Sequence, residues 1–174
     1  MKSRLPLPDV HALDHEQQQI YDSILSTRGN LSGPFLAWMH SPKLASHAEK
    51  LGAFCRYQTA LELIESEILI LIVAAHFHCV GEQQIHEPIA TSAGVSDDNI
   101  ARLRQRLTPN FATSRQTLLH DLARELLQTN RINPALYEQG IAEFGTGGMV
   151  ELVSIIGYYI LVAVTLNAFE MTMA

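Results

Sequence analysis

Residues 67–94 read Glu67-Ile-Leu-Ile-Leu-Ile-Val-Ala-Ala-His76-Phe-His-Cys79-Val-Gly-Glu82-Gln-Gln-Ile-His86-Glu-Pro88-Ile-Ala-Thr-Ser-Ala-Gly94. The run 68–75 is apolar on every side. On composition alone residues 68–73 suit a buried strand, but their continuity with helical patterns on both sides assigns them to a helix. The segment from Cys79 to Ala93 reads as a second helix that stops at Gly94. With Glu82 at zero on a wheel of about 100° per residue, His86, Ile89 and Ala93 fall within about 40°, and Cys79, Ile85 and His78 within about 60°. Gln83, Gln84, Glu87 and Thr91 take the opposite side. The inward stripe therefore carries Cys79, Glu82 and His86. A carboxylate and an imidazole on a buried stripe are costly unless they are paired or line a cavity, and that cost argues for a site.

Pro88 removes the backbone bond to Gln84 and should kink this helix, but the Glu82–His86 pair precedes it. Glu67 opens the apolar run and is expected to point inward, whereas Glu62 and Glu65 are expected to be exposed near the helix start. Two carboxylates, an imidazole and a thiol could then meet between two antiparallel helices. His78, Glu82 and His86, four residues apart in turn, also have a spacing that three metal ligands on one face would need.

Helical signals continue in both directions. Asp14 caps a helix that ends near Gly29, and residues 35–39 form a short segment. Ser41-Pro42 starts a helix to Tyr57, and the helix holding Glu67 begins near Ala60. Ser96 caps a helix through Leu107. Helices at 113–129 and 133–144 follow, then a turn at Gly145-Thr-Gly-Gly148 and a closing apolar helix. Strand signals are nearly absent. The expectation is an all-α, compact bundle of six to eight helices, in one domain of residues 14–174. Residues 1–13 form an N-terminal arm ordered by docking.

The chain has 174 residues and a net charge of −6. At 47% hydrophobic and 17% charged it is too apolar for a disordered chain. Its acid excess argues against nucleic-acid binding, which needs a clustered basic surface. Two cysteines, Cys55 and Cys79, make neither a disulfide framework nor a structural zinc site. The N-terminus lacks the apolar stretch of a secretory signal. Residues 149–169 are long and apolar enough to be a membrane candidate. Glu151, Asn167 and the lack of a flanking basic cluster favour a buried core or subunit-interface helix. A cytoplasmic soluble protein without membrane partners is expected.

The order Glu67-Ile-Leu-Ile-Leu, Glu82-x-x-x-His86 and Ala90-x-x-x-Gly94-x-Ser96 resembles the carboxymuconolactone decarboxylase family. That family shares a superfamily with the alkylhydroperoxidase D proteins. Gly33-Pro34-Phe35, His40-Ser-Pro42, Phe144-Gly-x-x-Gly-x-Val-Glu151-Leu and Gly157-Tyr-Tyr extend the resemblance over residues 20–170. The peroxidase branch uses Cys-x-x-Cys with a histidine four residues later and a glutamate before the first cysteine. On that pattern Glu67, Cys79 and His86 match, while Glu82 stands in place of the second cysteine. The decarboxylase branch has a glutamate there.

The resemblance implies an alkylhydroperoxidase D-like bundle, a homo-trimer or hexamer, a small-molecule substrate, and no cofactor or metal. It points to acid–base chemistry on a small organic acid or lactone, as in 4-carboxymuconolactone decarboxylase. His86 would be the proton donor, with Glu82 or Glu67 orienting it or relaying the proton. Two alternatives stand beside it. One is a thiol-dependent hydroperoxide reductase with Cys79 as nucleophile, resolved by Cys55 or an external thiol. The other is a non-enzymatic oligomeric ligand binder. Arg56, Arg102 and Arg104 are the nearest candidates for binding a substrate carboxylate. Phe35, Trp38, Met39, Tyr158 and Tyr159 are expected to fill the core or a pocket wall.

Overall fold

The computed structural model describes residues 1–173, so Ala174, the last residue of the expected domain, lies outside the described residues. Eight helices follow one another: α1 (His15–Arg28), α2 (Phe35–Trp38), α3 (Pro42–Tyr57), α4 (Leu63–His76), α5 (Val80–Ala93), α6 (Asp97–Arg104), α7 (Ser114–Thr129) and α8 (Pro134–Ala168). Among the described residues the only β pairing is an isolated bridge between Lys2 and Thr172. The all-α expectation holds.

Local chemistry sets the helix ends. Asp14 and Gln17 form a reciprocal capping box at the start of α1, and Gly29 closes it in the left-handed conformation. Ser96, Thr113 and Asn133 each accept a backbone N–H at the start of α6, α7 and α8. The helix holding Glu67 starts at Leu63 rather than at Ala60, because the Glu65 side chain reaches back to the Glu62 N–H. Helix α6 ends at Arg104, short of Leu107, as Arg106 turns left-handed.

Helix α4 is the centre of the bundle. Every residue from Glu65 to Ala75 is buried, and α5, α6, α7 and α8 pack around it. This explains why its sequence shows no polar face: a helix enclosed on all sides has none to present. Glu65 departs from expectation. It is buried, and its carboxylate accepts Arg115 Nε and Nη2 from α7. The guanidinium of Arg115 in turn lies 4.3 Å over the Phe144 ring. Burial is tolerated there because a neighbouring helix supplies the countercharge.

Helix α8 has the length and composition to cross a membrane. Here Leu152, Ile155, Ile156, Tyr159 and Val162 are core residues, packed on α4, α7, α3 and α5. The expected turn at residues 145–148 is a single break at Gly145 (φ 69°, ψ 172°), after which the helix resumes. That left-handed extended geometry needs glycine. The N-terminal arm docks beside the end of α8, where Lys2 and Thr172 exchange backbone hydrogen bonds of 2.9 and 3.1 Å. Arg4 adds an exposed ion pair to Glu170.

Candidate active site

Helices α4 and α5 are joined only by residues 77–79 and pack against each other. The tight reversal needs His78 at φ 51°, and Arg106 Nη2 meets its Nε2 at 2.8 Å. The reversal brings Glu67, on the first helix, against His86, on the second. His86 Nδ1 lies 2.8 Å from Glu67 Oε2, and Arg56 Nη1 donates to Glu67 Oε1 at 2.8 Å. Glu67 is wholly buried and Arg56 nearly so.

The tautomer of His86 follows from this geometry. Arg56 Nη1 also lies 3.4 Å from Nδ1, but a guanidinium only donates and the nearer partner of Nδ1 is a carboxylate oxygen. The proton therefore sits on Nδ1, directed at Glu67. In the neutral ring Nε2 carries the lone pair, and it faces Glu82 Oε2 at 3.5 Å. Oε2 is shielded from solvent and has no hydrogen-bond partner. Contacts of this kind are often long before substrate binds and tighten afterwards.

Burial pushes the Glu82 carboxyl above the usual carboxylate range, and the Glu67 charge adds to the rise. His86, Arg56 and Arg28 pull the other way and do not cancel it. The rise moves Glu82 toward its protonated form, the form that has a proton to give to Nε2. The raised value has a consequence for stability. A carboxyl whose native pKa exceeds its unfolded value contributes most below the unfolded value, and that contribution is lost as pH rises through the native one. Between the two values the loss is about 1.4 kcal/mol per pH unit. Replacing Glu82 by Gln is expected to remove this slope. Urea unfolding of both proteins from pH 4 upward should show the wild type losing ground to the variant as pH rises. A pH-independent difference would contradict the assignment.

Glu82 and His86 open onto a cavity of about 200 Å³. Its wall includes Arg28, Phe35, Arg56, Tyr57, Tyr158 and Tyr159, with Ile85, Ile89 and Val162 as apolar surface. The Tyr159 ring meets the imidazole edge-on at 5.4 Å. Burial raises the Tyr159 phenol well above its ordinary value, so it stays a neutral O–H. The volume corresponds to about six or seven waters at roughly 30 Å³ each, which suits a small metabolite.

Of the residues singled out from sequence, Glu67, Glu82 and His86 come together. Cys79 lies at the N-cap of α5, buried within the hydrophobic core, and is not part of the cavity wall. Burial pushes its thiol up to about 11, against the pull of the Glu82 and Gly81 backbone N–H groups. Cys55 is equally buried on α3, and both thiols are free. His78 is exposed and turned to Arg106, so the evenly spaced trio does not converge. Arg56 does reach the site, as partner of Glu67, whereas Arg104 pairs with Glu87 and Arg102 with Asp98. Arg28 has no distinguishing mark in the sequence. It enters from the end of α1, and only packing brings it to α5.

This fold is shared with solved structures. An alkylhydroperoxidase AhpD core protein, described as an uncharacterized peroxidase-related protein from Ralstonia eutropha JMP134, superposes with a TM-score of 0.83 at 18% identity, over 99% of this chain and 92% of that one. A peroxidase-related protein from Silicibacter sp. TM1040 gives 0.81 at 16%, over 98% and 91%. The debrominase Bmp8 in complex with 2,3,4-tribromopyrrole gives 0.78 at 13%, over 98% and 91%. No protein-family model matches the sequence, and no curated protein matches it. The chain has the alkylhydroperoxidase D-like fold.

Proposed function

We propose that this protein is a cofactor-free acid–base enzyme acting on a small organic acid or lactone, in the manner of a 4-carboxymuconolactone decarboxylase. The observation that carries the reading is the Glu67–His86–Glu82 relay opening on a cavity whose wall contains no thiol. In such a decarboxylation the bond to the substrate carboxylate breaks and CO₂ leaves. The electron pair passes into the conjugated lactone carbonyl, and the resulting enolate takes one proton on carbon. Glu82 and His86 Nε2 form the donor pair, and Glu67 holds the ring and stabilises the imidazolium that forms when Nε2 takes up a proton. Arg56 neutralises Glu67, and solvent restores the proton after product leaves.

The protein is read as cytoplasmic and soluble, and as a homo-oligomer, a trimer or hexamer. The exposed Val150, Val153, Leu161 and Val164 of α8 support self-association. The alkylhydroperoxidase name of one structural relative keeps peroxide chemistry as the competing activity, with Cys79 as its nucleophile.

The test compares the wild type with Cys79→Ser. Small unsaturated lactone acids are followed by proton NMR in D₂O for carboxylate loss and deuterium uptake on carbon. Hydroperoxide consumption with a dithiol is measured in parallel. Lactone turnover that Cys79→Ser retains within about threefold is the expected result. Peroxide turnover that vanishes with the thiol, with no reaction of any lactone, would overturn the reading in favour of the peroxidase.

A further inference from the structure

The cavity holds two guanidinium groups, and they differ in one respect. Arg56 is paired with Glu67. Arg28 has no carboxylate within ion-pair reach among the described residues. Its Nε and Nη2 are both shielded from solvent, and neither has a hydrogen-bond partner. These two atoms form one edge of the guanidinium, the edge that takes both oxygens of a carboxylate in parallel. Buried donors without acceptors carry their full desolvation cost, so an arginine that lines the cavity with this edge unpaired keeps a charge that a bound anion would offset.

The fork is also held in place. The guanidinium carbon of Arg28 lies 4.7 Å over the Phe35 ring and 5.8 Å from that of Tyr57. On its inner side Nη2 and the Tyr158 hydroxyl crowd against Gly52 of α3. A Cβ added at Gly52 would lie 2.7 Å from Nη2 and closer still to the hydroxyl. Only glycine permits that approach. Aromatic stacking and a backbone seat thus fix the orientation of a charge that no carboxylate among the described residues pairs with. Charge in the cavity points the same way. With Arg56 and Glu67 cancelling and the Glu82 carboxyl shifted toward its neutral form, Arg28 tips the cavity toward positive charge.

We infer that Arg28 is the anchor of the cavity, its guanidinium seating a carboxylate of an anionic substrate while the rest of the molecule lies toward Glu82 and His86. This assignment rests on the acid–base reading only in treating the bound anion as a substrate, and binding can be measured without turnover. The substrate class is then a small acid with an unsaturated, largely apolar body, since Ile85, Ile89, Val162 and the tyrosines form the rest of the wall. An arginine that anchors rather than reacts should act on KM more than on kcat.

The experiment is calorimetric titration of the full-length protein with benzoate, maleate and glutarate, each beside its neutral amide. The wild type is expected to bind at least one carboxylate, and its amide at least tenfold more weakly. Arg28→Gln should weaken that carboxylate by roughly 10- to 100-fold and leave the amide unchanged, and Arg28→Lys should fall between them. Circular dichroism and thermal melts confirm that the variants fold, and Phe35→Leu, which removes the stacking but not the charge, gives a second route if Arg28→Gln does not. That variant should weaken carboxylate binding more modestly. Failure of every carboxylate to bind the wild type, or equal binding by Arg28→Gln, overturns the assignment. Carboxylate binding through Arg28 with no turnover of any acid or lactone would leave the anchor standing and remove the acid–base reading. Turnover of a lactone acid with unaltered KM in Arg28→Gln would do the reverse.

Discussion

Replacing His86 by alanine is expected to lower kcat by roughly 10²- to 10⁴-fold, the contribution typical of a positioned general acid or base, on any substrate the wild type turns over. Among the described residues, the imidazole alone lies within ion-pair distance of both Glu67 and Glu82. Without it the donor pair loses Nε2, and Glu82 loses the link through the imidazole to Glu67. The fold should survive. Glu67 keeps Arg56 as its partner, so the loss falls in the range of about 1–3 kcal/mol set by one unsatisfied buried group. Steady-state kinetics and urea unfolding of the same preparation separate the two effects. Adding free imidazole should restore part of the rate, because the truncation leaves a space of the right shape beside the cavity. A folded His86→Ala protein with activity within threefold of wild type would refute the assigned role.

The second large effect concerns stability. Glu67 is fully buried and Arg56 almost so, and Arg56 is the countercharge of Glu67, to which His86 adds a hydrogen bond. Arg56→Met or Glu67→Leu alone is expected to cost about 3–5 kcal/mol, the usual consequence of leaving one buried charge unpaired. The double replacement should recover most of that loss, since an apolar pair of similar volume carries no desolvation cost. Urea midpoints for the two single variants and the double variant complete the cycle. Losses that simply add would show that the two groups do not depend on each other. Catalysis should fall in all three variants, because the imidazole loses the arrangement that directs its Nδ1 proton. Loss of rate in a double variant of near-native stability would separate the orienting role of this pair from its structural one.

Part of this site is legible in the chain because its geometry is local. Glu82 and His86 are four residues apart on one helix, so the helical period alone puts them side by side before any fold is known. Glu67 is legible for a different reason: it begins an unbroken apolar run, and a run with no polar face has nowhere to turn its first residue but inward. Helix caps at Asp14, Ser96, Thr113 and Asn133 are equally local, and they lie where side-chain chemistry places them.

Other features belong to the packing. The wheel puts Cys79 on the same stripe as Glu82, yet Cys79 is sealed in the core while Glu82 reaches the cavity. Periodicity says which side of a helix is buried, not whether the neighbour at a given depth is a side chain or a space. Glu65 looks like a first-turn surface acid until α7 brings Arg115 to it. Arg28 looks like a basic residue suited to the C-terminal end of a helix until α1, α3 and α8 enclose it. By itself the sequence determined the helices, the inward pairing of Glu82 with His86 and the burial of Glu67, because each depends on residues within a turn or two of one another. The cavity, its free guanidinium edge and the exclusion of the thiol were decided only by tertiary structure, because a cavity is what remains between elements distant in the chain.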